Sequence, residues 1–267
     1  MSAGGGASRG ARWTFAAAAI LIFLFLYAPI AVLVAFSFQE SQVLSWPIEA
    51  WSFRWYRLLL EDRELQQALW NSLMVASACV TVTTLAGVPL ALALRRLRGR
   101  LGRFLEQTFL LPLIVPQFIT GLALLIVLNR SDIGLSLWTV ILGQSLVWMP
   151  IVVVQVHARL QRFDANLEQA SMDLGANRLE TFFLVMLPNL RTAVVGSALL
   201  VFTLSFDELP VTFFLTGAEN TLPMHIWSML RIGITPEINA IASLTVGASV
   251  GLILLGVWLL AKDRRRL

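Results

Sequence analysis

The sequence predicts an all-α, polytopic membrane protein with about six transmembrane helices, and three observations carry that expectation. Of 267 residues, 57% are hydrophobic and only 13% are charged, with a mean hydropathy of +0.76. A water-soluble domain carries about a quarter charged residues. The apolar residues also fall in long blocks, several of which reach the roughly 20 residues that a helix needs to cross the hydrocarbon core. Finally, the basic residues gather in alternate connections between those blocks. The net charge of +4 is therefore a matter of membrane topology rather than of nucleic-acid binding.

The expected spans are Thr14–Phe38, Ala68–Leu94, Phe104–Leu128, Gly134–Val156, Thr192–Leu215 and Ile238–Ala261. The chain reads as one transmembrane domain, 1–267. Arg9 and Arg12 precede the first block as in a signal peptide. However, the 24 residues from Phe15 to Phe38 exceed the apolar core of about 7–15 residues of such peptides. No A-x-A site follows, so the block reads as an uncleaved span. The single cysteine, Cys79, sits inside the second block and permits no disulfide within the chain.

Orientation follows from arginine and lysine. Arg9 and Arg12, the group Arg95, Arg96, Arg98, Arg100 and Arg103, the group Arg159, Arg162, Arg178 and Arg191, and the tail Lys262, Arg264, Arg265 and Arg266 hold 15 of the 20 basic residues. The opposite side has Arg54, Arg57, Arg63, Arg130 and Arg231. The positive-inside rule makes the first side cytoplasmic, with both termini inside. Trp13 and Trp258 mark the inner interface, Trp70 and Trp138 the outer one. The stretch Trp51–Leu65 suits an amphipathic helix along the outer interface, or else a solvated loop. Pro29, Pro89, Pro112, Pro116, Pro150 and Pro210 fall within spans, where kinks serve either packing or a change of shape. Gly247 and Gly251 form a GxxxG pair suited to close helix packing.

The longest cytoplasmic connection has a pattern of its own. Asp164 is placed to cap a helix from about Ala165, and Leu167, Ala170, Ser171 and Leu174 then share one face. Gly175 falls where a left-handed residue would end that helix. Asn177 and Glu180 have capping-box spacing. Leu179, Phe182, Phe183 and Met186 make a second stripe, and Pro188 is expected to turn the chain into the fifth span. Two short amphipathic helices outside the membrane must bury their apolar faces on their own spans or on a partner. Asp173 opposes the dipole of the first helix, which points towards a partner contact.

Two acids, Asp207 and Glu208, lie in or near the outer half of the fifth span. A charge near the centre of a span costs about 2.5–3.5 kcal/mol, so such residues usually face a cavity or serve function. Either Pro210 breaks the helix and water reaches both, or one or both line a pathway that favours a cationic solute. The only lysine is Lys262, so no G-x-x-x-x-G-K-[ST] phosphate loop exists and the chain cannot supply an ATP-binding lysine. His157 reads as an interfacial residue and His225 as a loop residue. With Cys79 inside a span, these do not assemble a metal site, and no catalytic nucleophile motif is found.

Glu168-Gln169-Ala170, Gly175-Ala176 and Leu187-Pro188 resemble the EAA loop of binding-protein-dependent ABC importer permeases, with Gln169 in place of the first alanine. Asn71-Ser72-Leu73, Phe202 to Glu208, Thr212-Phe213-Phe214, Thr221-Leu222-Pro223, Ile226 to Met229 and Pro236 to Ala240 are similar to the second permease subunit of spermidine/putrescine-type importers. The resemblance implies a type I importer fold in a bacterial inner membrane and a helix-turn-helix coupling loop at 164–188. It makes Glu168, Ala170, Gly175 and Ala176 the contact with a cytoplasmic ATPase, or its support, with Asp173 beside them. It also implies a non-catalytic subunit that binds no cofactor and leaves ATP to an ATPase dimer. A second, different permease and an extracytoplasmic solute-binding protein complete the expected partners, with a polyamine as solute. The alternatives are a secondary transporter or channel working without ATP, or an intramembrane enzyme, for which no catalytic pair is found.

The orientation is open to direct test. With Cys79→Ala as background, single cysteines at Ser2, Ser171 and Asn220 are probed with an impermeant thiol reagent on intact cells. Only the cysteine at 220 is expected to react, and labelling at 171 from outside would overturn the map.

Overall fold

The computed structural model describes residues 9–97, 99–247 and 250–251. In chain order its helices are α1 (Arg9–Phe36), α2 (Arg54–Glu61), α3 (Arg63–Arg96), α4 (Gly99–Ile114), α5 (Gln117–Arg130), α6 (Leu137–Gln161), α7 (Ala165–Asp173), α8 (Arg178–Thr181), α9 (Leu187–Phe206), α10 (Pro210–Leu215), α11 (Leu222–Ile232) and α12 (residues 236–247). A π-helical turn, Phe182–Met186, joins α8 to α9. Among the described residues the only extended pairing is one antiparallel bridge, Gln39–Trp51. The fold class is therefore all-α. The chain falls into two compact units, Met1–Arg63 with Ser228–Leu267, and Glu64–Trp227.

In the first unit α1 is an exposed apolar rod, with Pro29 inside it. The segment expected along the interface forms the short helix α2. Trp55 and Leu59 are buried, while Arg54, Arg57 and Glu61 face out. The Trp55 indole donates to the Gln39 carbonyl (2.6 Å). The Tyr56 hydroxyl lies 2.6 Å from that of Ser37 and donates to Ser243 of α12 (3.1 Å). The sixth expected span, Ile238–Ala261, is helical as far as it is described. Its remainder, with Trp258, Lys262 and Arg264 to Arg266, lies outside the described residues, as does Arg98.

The second unit is organised around α6. Fourteen of its 25 residues are buried, over most of its circumference, while Trp138, Leu142 and Leu146 leave one exposed apolar stripe at i, i+4 and i+8. The core that surrounds it includes Val75, Cys79 and Val88 of α3, Leu190 and Val201 of α9, and Val211 and Leu215 of α10. The head of α3 holds the segment before α11. Asn71 donates to the Asn220 carbonyl (2.9 Å), and the Ser72 hydroxyl accepts from the Leu222 N–H (2.8 Å).

Two expected spans differ from the structure. Phe104–Leu128 is not straight: its halves Gln107–Ile114 and Gln117–Arg130 meet at 103°. Pro116 lacks an N–H and forces the preceding Val115 out of helical geometry, so the chain bends there. The fifth span begins earlier and ends sooner than Thr192–Leu215. Helix runs unbroken from Arg178 through the π turn to Phe206. Pro188 does not turn the chain: it lies within this continuous helix, directly after the π turn Phe182–Met186, whose wider spacing interrupts the regular ladder where a residue without an N–H follows. Among the described residues, four helices are long and apolar enough to cross a membrane, or five with the bent pair. His225, expected in a loop, is buried on α11.

Beyond Phe206 the chain breaks, and the six-residue α10 packs between α5 and α6. It fits because both neighbours offer glycine. A Cβ at Gly121 would lie 2.9 Å from the Phe214 ring and 3.1 Å from the Val211 Cα, and one at Gly143 only 2.2 Å from Leu215 Cδ1. The far end of α10 is held by the Thr139 hydroxyl, which donates to the Leu215 carbonyl (2.7 Å). Overpacking such a contact costs about 1–3 kcal/mol, so Gly121→Val is expected to lower the thermal midpoint in detergent by several degrees. Gly196→Ala, whose nearest contact would be 3.8 Å away, is expected to leave it unchanged or slightly raised. Equal midpoints for the two variants would remove the tight seat of α10.

Candidate coupling loop and translocation face

Capping chemistry shapes the connection after α6. The Asp164 carboxylate accepts from the Asn166 N–H (2.9 Å) and starts α7. α7 ends at Gly175, whose φ of +95° is a left-handed geometry that side chains with a Cβ disfavour. The Gly175 and Ala176 N–H groups donate back to Met172 (2.9 Å) and Ser171 (3.2 Å), satisfying the last carbonyls of α7. Asn177 then accepts from the N–H groups of Leu179 and Glu180 (3.0 Å each), and Glu180 accepts from the Asn177 N–H (2.8 Å). The hydroxyls of Ser171 and Thr181, 3.2 Å apart, join the two helices.

The apolar faces of this connection are only partly covered. Met186 is buried and Phe182 half-buried, but Leu174 is 90% exposed and Leu179 70%, with Leu167, Phe183 and Leu184 also exposed. An open groove of about 520 Å³ runs beside them, with Arg96, Glu168 and Arg178 among its lining. Ala170 and Asp173 are exposed on α7, and Ala176 is half-buried at the bend. Glu168 lies in the first turn of α7 and pairs with Arg95, at the end of α3, at 3.3 Å. The same guanidinium sits 5.5 Å from the centre of the Phe163 ring. Sequence reasoning counted Arg95 only towards orientation, because its partner is 73 residues away.

Asp207 and Glu208, adjacent in sequence, are not placed together. Asp207 is exposed at the end of α9, on a face that includes the exposed Leu199 and Thr203 and the half-buried Phe202 and Phe206, whose rings stack at 6.2 Å. Glu208 turns inward and is 3% exposed. Its carboxylate accepts from the N–H groups of Val211 (2.6 Å) and Thr212 (3.0 Å), the Thr212 hydroxyl (2.6 Å) and the Gln144 amide (3.3 Å). Gln144 also donates to the Thr212 hydroxyl (2.9 Å) and accepts from Ser205. Among the described residues Glu208 has no cationic partner. Ser205 and Thr212 fall in segments that carry the resemblance but have no role of their own in the sequence reading, and Gln144 is not named there at all. A glutamine inside an apolar span is the one signal that could have pointed to them.

Apolar helices of spanning length, a broken span with a carboxylate on its outer face and a capped loop rich in exposed apolar residues define a multi-pass membrane transport component. The family model for the binding-protein-dependent transport system inner membrane component matches residues 83–266, and the chain belongs to that family. It is 37% identical over 253 residues to the putrescine transport system permease protein PotI of Escherichia coli K12, covering 90% of this chain and 88% of that one. It is 32% identical to the spermidine/putrescine transport system permease protein PotC of the same strain, covering 92% of each. The molybdenum transport system permease protein ModB of Mycobacterium bovis is 32% identical over 74% of this chain and 81% of its own. In fold, the chain is similar to a subunit of a bacterial ABC transporter that imports alginate, with a TM-score of 0.65, 17% identity and coverage of 95% and 98%. It is also similar to a subunit of the MetNI methionine ABC transporter, with a TM-score of 0.61, 16% identity and coverage of 72% and 92%. The chain is thus a non-catalytic permease subunit of the ABC importer kind in an inner membrane, with ATP used by a separate ATPase subunit.

Valine at 175 would have to hold φ near +95°, at a cost of about 1–2 kcal/mol, whereas asparagine visits that region readily. In the assembled transporter, Gly175→Val is expected to insert normally yet to lose solute uptake and binding-protein-stimulated ATP hydrolysis. Gly175→Asn is expected to retain most of both. Full activity of the valine variant in proteoliposomes would remove this bend from energy transfer.

Proposed function

We propose that this chain forms one half of the translocation pathway of a polyamine importer and pairs with a second, different permease subunit above two cytoplasmic ATPases. The observation that carries the polyamine reading is the outward carboxylate of Asp207 beside the phenyl rings of Phe202 and Phe206. A diamine has an ammonium group at each end of an apolar methylene chain. Carboxylates pair with the former, and ring faces accept both cations and methylenes. The relatives named for putrescine and for spermidine/putrescine support the same class of solute.

Energy is delivered through the 164–188 loop. Leu174, Leu179 and Phe183 project from it and form an apolar docking face for the ATPase subunit. Ala170 and Asp173 are the exposed contacts on α7. Glu168 supports them by tying α7 to Arg95 at the end of α3, and Gly175 and Ala176 by shaping the bend. The distribution of basic residues supports a cytoplasmic position for this loop and both termini. The solute-binding protein therefore docks on the opposite side, where residues 216–221 join α10 to α11.

The test is uptake of labelled putrescine and spermidine by the assembled transporter. Removing one member of a charge pair that is desolvated on binding costs at least about 2 kcal/mol, so Asp207→Asn is expected to reduce uptake about tenfold or more with membrane abundance unchanged. If the intact system ignores polyamines and imports a neutral or anionic solute, as the likeness to a molybdenum permease allows, the cation reading fails and the permease assignment stands.

A further inference from the structure

Pro210 cannot continue α9, and the short helix that starts with it presents the N–H groups of Val211 and Thr212 where no preceding turn can accept them. Leu209, the residue just before α10, has no side-chain acceptor. The Glu208 carboxylate stands in for it, one oxygen taking the Val211 N–H and the other the Thr212 N–H, the Thr212 hydroxyl and the Gln144 amide. Through Gln144 the same network reaches Ser205, in the last turn of α9. One buried carboxylate thus ties α6, the end of α9 and the start of α10 together. Asp207 lies between the two tied points, with Ser205 on one side and Glu208 on the other.

We infer that Glu208 is a positioning residue for Asp207: it never meets the solute, but holds the break in the fifth span so that the neighbouring carboxylate faces the pathway. This rests on the reading of Asp207 as a solute-facing acid. Glutamine cannot replace Glu208 in this role, because its NH₂ is a donor and must oppose one of the two N–H groups that the carboxylate accepts. The break would relax, and Asp207 would move with it.

The experiment combines a double-mutant cycle with a labelling assay, both on the complete transporter and with membrane abundance and assembly checked for each variant. Glu208→Gln is expected to raise the apparent KM for labelled putrescine about tenfold when Asp207 is present, and by less than about twofold when Asp207 is already asparagine. Ser205→Ala, which loosens the network from its other end and leaves the carboxylate in place, is expected to shift KM in the same direction. It replaces Glu208→Gln in the cycle if that variant does not assemble. In a Cys79→Ala background, Asp207→Cys is expected to react with a cationic, water-soluble thiol reagent, and to react at a clearly different rate once Glu208→Gln is added. Equal effects of Glu208→Gln in both Asp207 backgrounds, a loss confined to Vmax, or an unchanged labelling rate of Asp207→Cys when Glu208→Gln is added would each overturn the inference while leaving the reading of Asp207 intact. If Asp207→Asn itself transports putrescine normally, that reading falls and the inference falls with it.

Discussion

A helix broken inside a bilayer exposes N–H groups to a medium without acceptors, and each group left unpaired there costs several kcal/mol. The break between Phe206 and Pro210 meets that constraint with the side chain of Glu208, and much of the second unit follows from it. The carboxylate needs donors, so the central helix α6 carries Gln144 in a mostly apolar stretch. Gln144 needs a partner of its own, so the last turn of α9 carries Ser205. The short helix that the break creates must be seated closely enough to keep those bonds, which is why α5 and α6 present Gly121 and Gly143 to it. Its other end has carbonyls to satisfy, and Thr139 meets one of them. What looks like scattered polar and small residues in apolar spans is a single solution to a break in the backbone.

The residues that carry the resemblance to permeases divide the same kind of labour. Asn71 and Ser72 hold the backbone of the segment before α11, and Gly175 gives the loop its left-handed turn. Gln169, the departure from the EAA pattern, is exposed on α7, where a longer polar side chain disturbs no packing. Glu168 makes its ion pair on the inward side of that helix, with Arg95 at the end of α3. A loop whose backbone is closed at every turn can leave Leu174 and Leu179 uncovered without collapsing.

Much of this was legible in the sequence, for reasons that differ by element. Spans such as α1 and α6 announce themselves because length and composition suffice to place a helix in lipid. The caps at Asp164 and Asn177 and the turn at Gly175 were legible because capping is settled within four residues. The fate of each proline was not. Pro89, Pro112 and Pro150 stay inside continuous helices, while Pro116 accompanies a bend of 103°, although each lacks the same N–H. Nor could the sequence separate Asp207 from Glu208. Both acids fall in the break between Phe206 and Pro210, where helical periodicity no longer says which side chain turns inward. Only the position of Gln144 decides between them.

Helical continuity from Arg178 to Phe206 has a mechanical meaning. Those 29 residues, at about 1.5 Å each, form a rod roughly 43 Å long, with the loop at one end and Asp207 at the other. A stiff rod carries a displacement along its length instead of dissipating it in a linker, and its one soft joint is the wider turn at Phe182–Met186. A force applied at the loop would therefore reach the carboxylate as a tilt or a roll of the whole lever. A roll of one residue's worth, about 100°, would turn the face of Phe202, Phe206 and Asp207 out of the position it holds here.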